Sequence, residues 1–347
     1  MRVGIYTHYA HCDQAYLAVR LADFVRSQGV EFDLYSDAPP GRLGLAYDRA
    51  VAHRGIMNFS DWLRRQSVLV WTHVPWPEQL QYVKRFRIPT IIAPMWQELT
   101  PPFKKCLRTA DAVVVLSQEQ RELFHAVFKL RNVAYIPFDS GLPMTRKDIG
   151  VNDRKISLFL PWFDRNARCA SSQLLSTLGY IIERMHETHL TVGITSSRFG
   201  PAVAKFFTKL GARTDGRVRL VRGVPFAQRQ PLYGQHDLTL WPGECDNYGF
   251  CGLSSLAAGT PVVSLATPPQ TDFLITDVNA ALCKTRVDYD DNGVPHAVPN
   301  YEAFAAVIQD LVSEPRHIDR LQKKTNYNLL PRRTAFELGW RSVLDLP

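Results

Sequence analysis

Apolar positions along the chain fall into short runs separated by longer stretches with helical spacing. Residues 3–7 form a strand-length apolar run, residues 16–27 repeat apolar positions about every 3.6 residues, Gly29 ends that stretch, and residues 31–35 read as another strand. This is a βαβ unit. Further strands are predicted at 68–73, 90–93, 112–117 and 133–137 with helical segments between them, the pattern of a parallel sheet covered on both faces.

The pattern breaks between 139 and 155, where Gly141, Pro143 and the charged run Arg146-Lys147-Asp148 precede a new strand at 156–160. The same alternation then returns. A helix is predicted over 171–186, strands at 190–195, 218–221, 237–241 and 261–264, a helix over 252–258 and another over 301–313. The expected organisation is α/β, with Rossmann-like domains at 1–150 and 151–330 and an amphipathic closing segment at 331–347.

Composition narrows the class. The 347 residues are 46% hydrophobic and 21% charged, ordinary globular material. The longest apolar runs, 113–116 and 262–265, fall far short of the roughly 20 residues a membrane span needs. The start of the chain runs directly into a strand pattern without a signal-like apolar region, so a cytoplasmic location is expected. Cys12, Cys106, Cys169, Cys245, Cys251 and Cys283 show no paired metal-ligand spacing, and reduced thiols are expected. The formal charge is +8, the larger part of it on residues 1–150, which points to an anionic partner or to an ordinary solvated basic surface.

The richest chemistry lies in residues 240–264. A strand leads into a Gly-rich loop, a helix of small residues, a stop at Gly259 and another strand. Gly249 and Gly252 would let backbone approach a ligand, and the N–H groups opening the helix would face phosphate or sugar oxygens. An ordinary βα turn is the other reading of the same spacing.

This segment resembles the signature of family 4 glycosyltransferases of the GT-B fold: an acidic residue, a Gly-aromatic-Gly turn, a second acid eight positions on, and Ala-x-Gly-x-Pro-Val-Val. Here the two acidic positions fall on Asp246 and Ser254. Arg222-Gly223-Val224 with Pro231-Leu232-Tyr233 and His236-Asp237 is similar to the family's base-contacting turn and following helix. Ala110-Asp111-Ala112-Val113-Val114 with Leu116-Ser117, the loop Thr267-Pro268-Pro269-Gln270-Thr271-Asp272, and Phe336-Glu337 with Trp340 extend the likeness over most of the chain. The resemblance implies two doubly wound Rossmann-like domains facing across a cleft, the first binding acceptor and the second a UDP- or GDP-sugar. It implies a hexosyl- or pentosyltransferase, retaining and metal-independent, with no cofactor beyond the nucleotide sugar. Asp246 would reach the transferred sugar, with Glu244 as a longer alternative. Gly223, Val224, Asn247, Tyr248, Gly249, Phe250 and Ser254 would line the donor.

Three departures redirect the assignment. Cys12 and Asp13 stand where the family has a Gly-Gly turn, Pro94-Met95-Trp96 replaces a customary His, and Arg165 and Arg168 become the diphosphate candidates out of frame. An inverting reaction would draw its base from His8, His11 or Asp13. Asp288-Tyr289-Asp290 has a D-x-D pattern but reads as a solvated acidic loop, and no metal site is expected. His73, Trp76, Trp96, Lys104 and Lys105, with Trp71 and the basic groups Arg64, Arg65, Lys84, Arg85 and Arg87, suggest an acceptor bearing phosphates. Hydroxymethylated pyrimidine DNA is one such acceptor, a lipid or glycan at a membrane surface another, and a non-catalytic nucleotide-sugar binder a third function class. Neither half carries G-x-G-x-x-G after its first strand, which argues against a dinucleotide oxidoreductase.

Overall fold

A computed structural model of the chain describes residues 1–8, 12–37, 46–47, 49–95, 101–145, 155–162, 172–194, 200–225, 228–244, 248–291 and 295–346. It divides into two compact units. Unit 1 comprises Met1–Gly141, Tyr289–Val294 and Pro331–Pro347, and unit 2 comprises Leu142–Asp288 and Pro295–Leu330.

Unit 1 opens with β1 (Arg2–Tyr6), α1 (Cys12–Ser27), β2 (Glu31–Ser36), β3 (Ala52–His53), α2 (Phe59–Leu63) and β4 (Val68–Trp71). It continues with α3 (Pro77–Lys84), β5 (Thr90–Ile92), α4 (Pro101–Thr109), β6 (Ala112–Val115), α5 (Gln118–Ala126) and β7 (Val133–Tyr135). The seven strands lie in the order β3-β2-β1-β4-β5-β6-β7, and the pairings are parallel, with Val3 opposite Val68 and Tyr6 opposite Trp71. Every residue of β4 is buried, the consequence of helices on both faces, so the strand reads as a run of apolar residues instead of an alternation. Helix starts follow local chemistry. Ser117 caps α5 by accepting from Gln120 N at 3.1 Å, and Pro77 occupies the first turn of α3, where its missing N–H costs nothing.

Unit 2 contains β8 (Ile156–Trp162), α6 (Ser172–Arg184), β9 (Thr188–Ile194), α7 (Gly200–Arg213), β10 (Val218–Arg222), α8 (Gln230–Gly234) and β11 (Leu238–Trp241). Then come α9 (Phe250–Ala257), β12 (Val262–Leu265), β13 (Ala280–Cys283), β14 (Arg286–Tyr289, its last residue counted with unit 1), β15 (Pro295–Val298), α10 (Tyr301–Ser313) and α11 (Pro315–Gln322). Its six-stranded sheet runs β10-β9-β8-β11-β12-β13, and β14 and β15 pair separately. Leu158, Leu160, Val192, Leu240 and Val263 from the sheet pack with Leu178, Phe207, Phe304 and Ile308 from the helices. The fully buried Asp237 accepts from Ser157 N at 2.9 Å and Ser157 Oγ at 2.6 Å, which ties the approach to β11 to β8.

The closing helix α12 (Leu329–Val343) carries Phe336 and Trp340, both fully buried. Phe336 meets Phe24 edge-on at 6.3 Å and lies under the Arg20 guanidinium at 5.1 Å. Asp139, buried at 4% exposure, accepts ion pairs from Arg20 at 2.7 Å and Arg333 at 3.3 Å. The sequence reading placed 288–290 in an acidic loop. Asp288 and Tyr289 instead complete β14, and Asp288 pairs with Arg286 at 2.7 Å.

Candidate functional site

Both sheets reverse direction once. In unit 1 the chain builds outward from β1 through β2 to β3 and then returns to β4 on the other side of β1. In unit 2 it builds from β8 to β10 and returns to β11. Loops leaving the C-terminal ends of the two strands at such a reversal diverge and leave a crevice, the usual ligand position in open α/β sheets.

In unit 2 that place is occupied by β11, the residues that follow it to Glu244, and α9. β11 ends at the buried Trp241, whose indole N–H faces the Gln270 side-chain amide at 3.1 Å. Glu244 follows, its carboxylate accepting from the Tyr301 hydroxyl at 2.9 Å and its carbonyl from Ala297 N at 2.8 Å. Gly249 takes a left-handed φ of 68° and caps α9. Seven of the eight residues of α9 are buried, among them Ser254 and Ser255. The two serines differ. Ser255 Oγ is bonded to Thr239 Oγ1 at 2.6 Å and Thr260 O at 2.8 Å, whereas Ser254 Oγ has no hydrogen-bond partner among the described residues. A buried hydroxyl without a partner is costly, and an ordered water or a ligand can supply the missing bond.

The structure supplies a different reason for the two motif glycines. A Cβ on Gly249 would sit 2.3 Å from Phe273 Cε1, and one on Gly252 2.9 Å from Phe273 Cε2. The fully buried Phe273 ring fills the space a side chain would take, so internal packing demands glycine at both positions. At the end of β10, Gly223 also has a positive φ, 66°, with open space around it, and Val224 packs against Phe159, Tyr233 and Ala258.

In unit 1 the reversal brings His8, after β1, onto His73, after β4, with ring centroids 3.8 Å apart and planes 28° from parallel. His73 is 2% exposed and is flanked by Tyr6 at 5.4 Å and Trp71 at 5.5 Å. Burial, followed by the nearby Asp37 carboxylate, pushes the Tyr6 pKa well above the ordinary tyrosine value.

No family model matches the sequence, and no curated protein sequence matches it either. Solved structures do. Sucrose-phosphate synthase (tll1590) from Thermosynechococcus elongatus superposes with a TM-score of 0.76 at 13% identity, over 99% of this chain and 98% of its own. The pneumococcal O-GlcNAc transferase GtfA in complex with UDP and GlcNAc gives 0.75 at 9% identity, over 100% and 99%. Anabaena Alr3699/HepE in complex with UDP and glucose gives 0.71 at 13%, over the whole of both chains. The fold is GT-B.

Within this GT-B chain the expected site residues divide into three groups. Glu244, Tyr248, Gly249, Phe250 and Ser254 gather at the reversal point of unit 2, and Gly223 and Val224 lie at the C-terminal end of β10 in the same unit. Asp246, Asn247, Arg165, Arg168, His11 and Trp96 lie outside the described residues, and Asp13 is described only by its backbone in the first turn of α1. The described acceptor candidates at α3 and α4 make up the third group. Trp76 is 58% exposed beside Phe103 at 5.2 Å, Lys105 is exposed, and the Lys104 ammonium lies over the Phe128 ring at 4.6 Å. Trp71, expected among the acceptor-side groups, is fully buried because it closes the ring cluster around Tyr6. Two expected phosphate ligands are already paired, Arg64 with Asp61 at 3.0 Å and Lys84 with Asp111 at 2.7 Å. The sequence reading also passed over the pairing of His8 with His73, although both follow a predicted strand. Among the described residues no group of three His, Cys, Asp or Glu side chains is placed to hold a metal ion, and no helix is long and apolar enough to cross a membrane.

Proposed function

We propose that this protein is a glycosyltransferase that moves a sugar from a nucleotide-sugar donor, UDP-linked first among the candidates, to an acceptor hydroxyl. The observation that carries the reading is β11 and α9 at the reversal point of unit 2, with the N-terminus of α9 and the Ser254 hydroxyl, which has no partner among the described residues. The likeness to a sucrose-phosphate synthase and to proteins holding UDP with glucose or GlcNAc supports the donor class.

In this reading the N-terminus of α9, with Arg165 and Arg168, stabilises the departing diphosphate without a metal ion, and Asp246 holds the transferred sugar. The bond between the anomeric carbon and the phosphate oxygen breaks, the acceptor oxygen bonds to that carbon on the same face, and the acceptor proton passes to the leaving phosphate oxygen. The anomeric configuration is therefore retained. A nucleic-acid acceptor draws its remaining support from Trp76, Lys105 and the exposed Arg65, Arg85 and Arg87, since Trp71, Lys104, Arg64 and Lys84 are otherwise engaged.

The test is a panel of UDP- and GDP-sugars scored for released nucleotide, with and without EDTA and with and without hydroxymethylated duplex DNA. Release from one donor, insensitive to EDTA and reduced about a hundredfold by Asp246→Ala, is the expected result. Binding of a donor with no release under any condition would replace the enzyme by a nucleotide-sugar-binding protein. Stimulation by the modified duplex would restore DNA as acceptor.

A further inference from the structure

Unit 1 contains a cavity of about 520 Å³ beside the end of β2, within the size range of small-molecule sites. Its lining includes Tyr35, Phe59 and Tyr82 on one hand and Asp37, Arg54 and Asn58 on the other. The rings form one aromatic wall. Phe59 lies between Tyr35, at 5.2 Å, and Tyr82, stacked at 6.3 Å and 29°, and Tyr82 is 36% exposed.

The polar groups complement that wall. Asn58 Oδ1 is committed to capping α2 through Ser60 N at 2.9 Å, which leaves its amide hydrogens to a ligand. Arg54 makes no hydrogen bond or ion pair among the described residues. Asp37 accepts from Gln79 Nε2 at 3.4 Å, and the same amide reaches the Tyr6 hydroxyl at 3.4 Å. The cavity therefore offers an apolar ring surface, a fixed acceptor and two sets of donors. The two ionised side chains, Asp37 and Arg54, cancel.

A pyranose ring has the matching chemistry: C–H groups on its faces and hydroxyls around its edge that donate and accept. Polyanions do not match, because Asp37 would repel the phosphate that Arg54 attracts. The cavity also borders the reversal point of the sheet, since Gln79 Nε2 bridges Asp37 and the Tyr6 hydroxyl at 3.4 Å each and the Tyr6 ring lies 5.4 Å from His73.

We propose that this cavity binds a neutral saccharide, and that this saccharide is the acceptor, a role that rests on the glycosyltransferase reading above. The experiment measures binding of methyl glycosides, disaccharides and trisaccharides of glucose, galactose, mannose and N-acetylglucosamine by saturation-transfer NMR and calorimetry. A sulfated glycan and duplex DNA serve as charged comparators, and nucleotide release from UDP-sugars is measured in parallel on the unaltered protein. The expected result is binding of at least one neutral saccharide, weakened about tenfold or more by Arg54→Ala and by Tyr82→Ala, the loss of one good polar contact or one ring. Arg54 is exposed, so that variant reports on binding without disturbing the core. Absence of saccharide binding, binding indifferent to both substitutions, or competition by the charged polymers would overturn the proposal. Nucleotide release without saccharide binding would sink the saccharide site alone. Saccharide binding sensitive to both substitutions, with no release from any donor, would keep the site and sink the transferase reading.

Discussion

Replacing Gly249 by alanine separates two reasons for a glycine at the start of α9. The residue has φ 68°, where an L side chain costs roughly 1–2 kcal/mol. The added Cβ would also lie 2.3 Å from Cε1 and 2.5 Å from Cζ of Phe273, and forcing a methyl group into a packed interior costs about 1–3 kcal/mol. Gly249→Ala should therefore lose about 2–5 kcal/mol in chemical denaturation. A Phe273→Leu background removes both offending ring atoms but leaves the backbone strain. In that background the same substitution should cost only about 1–2 kcal/mol, giving a coupling of about 1–3 kcal/mol in a double-mutant cycle. Gly252→Ala meets the same ring at 2.9 Å without a positive φ and gains helix propensity, so it should be the milder change. Additive costs in the cycle would show that Phe273 is not what excludes a side chain, and a Gly249→Ala protein as stable as the parent would refute both components.

Ser254→Ala should leave stability unchanged or slightly raised, since a buried hydroxyl with no partner among the described residues is removed, while UDP affinity measured by calorimetry falls severalfold. Unchanged affinity would take Ser254 out of the donor site. Burial pushes the Cys283 thiol up to about 12 from 9.0, so the folded state opposes its ionisation. That contribution is complete below pH 9.0 and is lost as pH rises toward 12, and a Cys283→Ala variant should show a flatter stability profile over that window. In the native protein at pH 8, iodoacetamide should spare Cys283 and label it only after unfolding. Trp340→Ala should cost about 3–5 kcal/mol, because a fully buried indole against Phe336 leaves a cavity, and full retention of stability would mean that α12 does not anchor unit 1.

Much of the fold was legible along the chain. Buried parallel strands such as Val68–Trp71 and Ala112–Val115 carry continuous apolar runs, and helices such as Tyr301–Ser313 show their period, because both signals arise from neighbours within one element. The two-residue β3 and the β14–β15 pair were not legible, since their pairing depends on strands brought beside them and not on local pattern. In the site, the place of the 240–264 segment could be read from glycines and small residues. Its partners could not. Phe273 lies beyond the next strand, and nothing near Gly249 in sequence announces that a ring will fill its side-chain space.

The sequence by itself thus determined the alternation of strands and helices and the position of the Gly-rich turn, properties set by periodicity and by backbone freedom over a few residues. Only the tertiary structure decided which polar and aromatic groups remain for a ligand. It turned Trp71 into core and placed Lys104 over Phe128. It stacked His8 on His73, and it lined the unit 1 cavity with Asp37, Arg54 and Tyr82. Whether a side chain packs inward, pairs or faces a cavity depends on groups that arrive from distant elements when the sheet closes, and no local pattern encodes those arrivals.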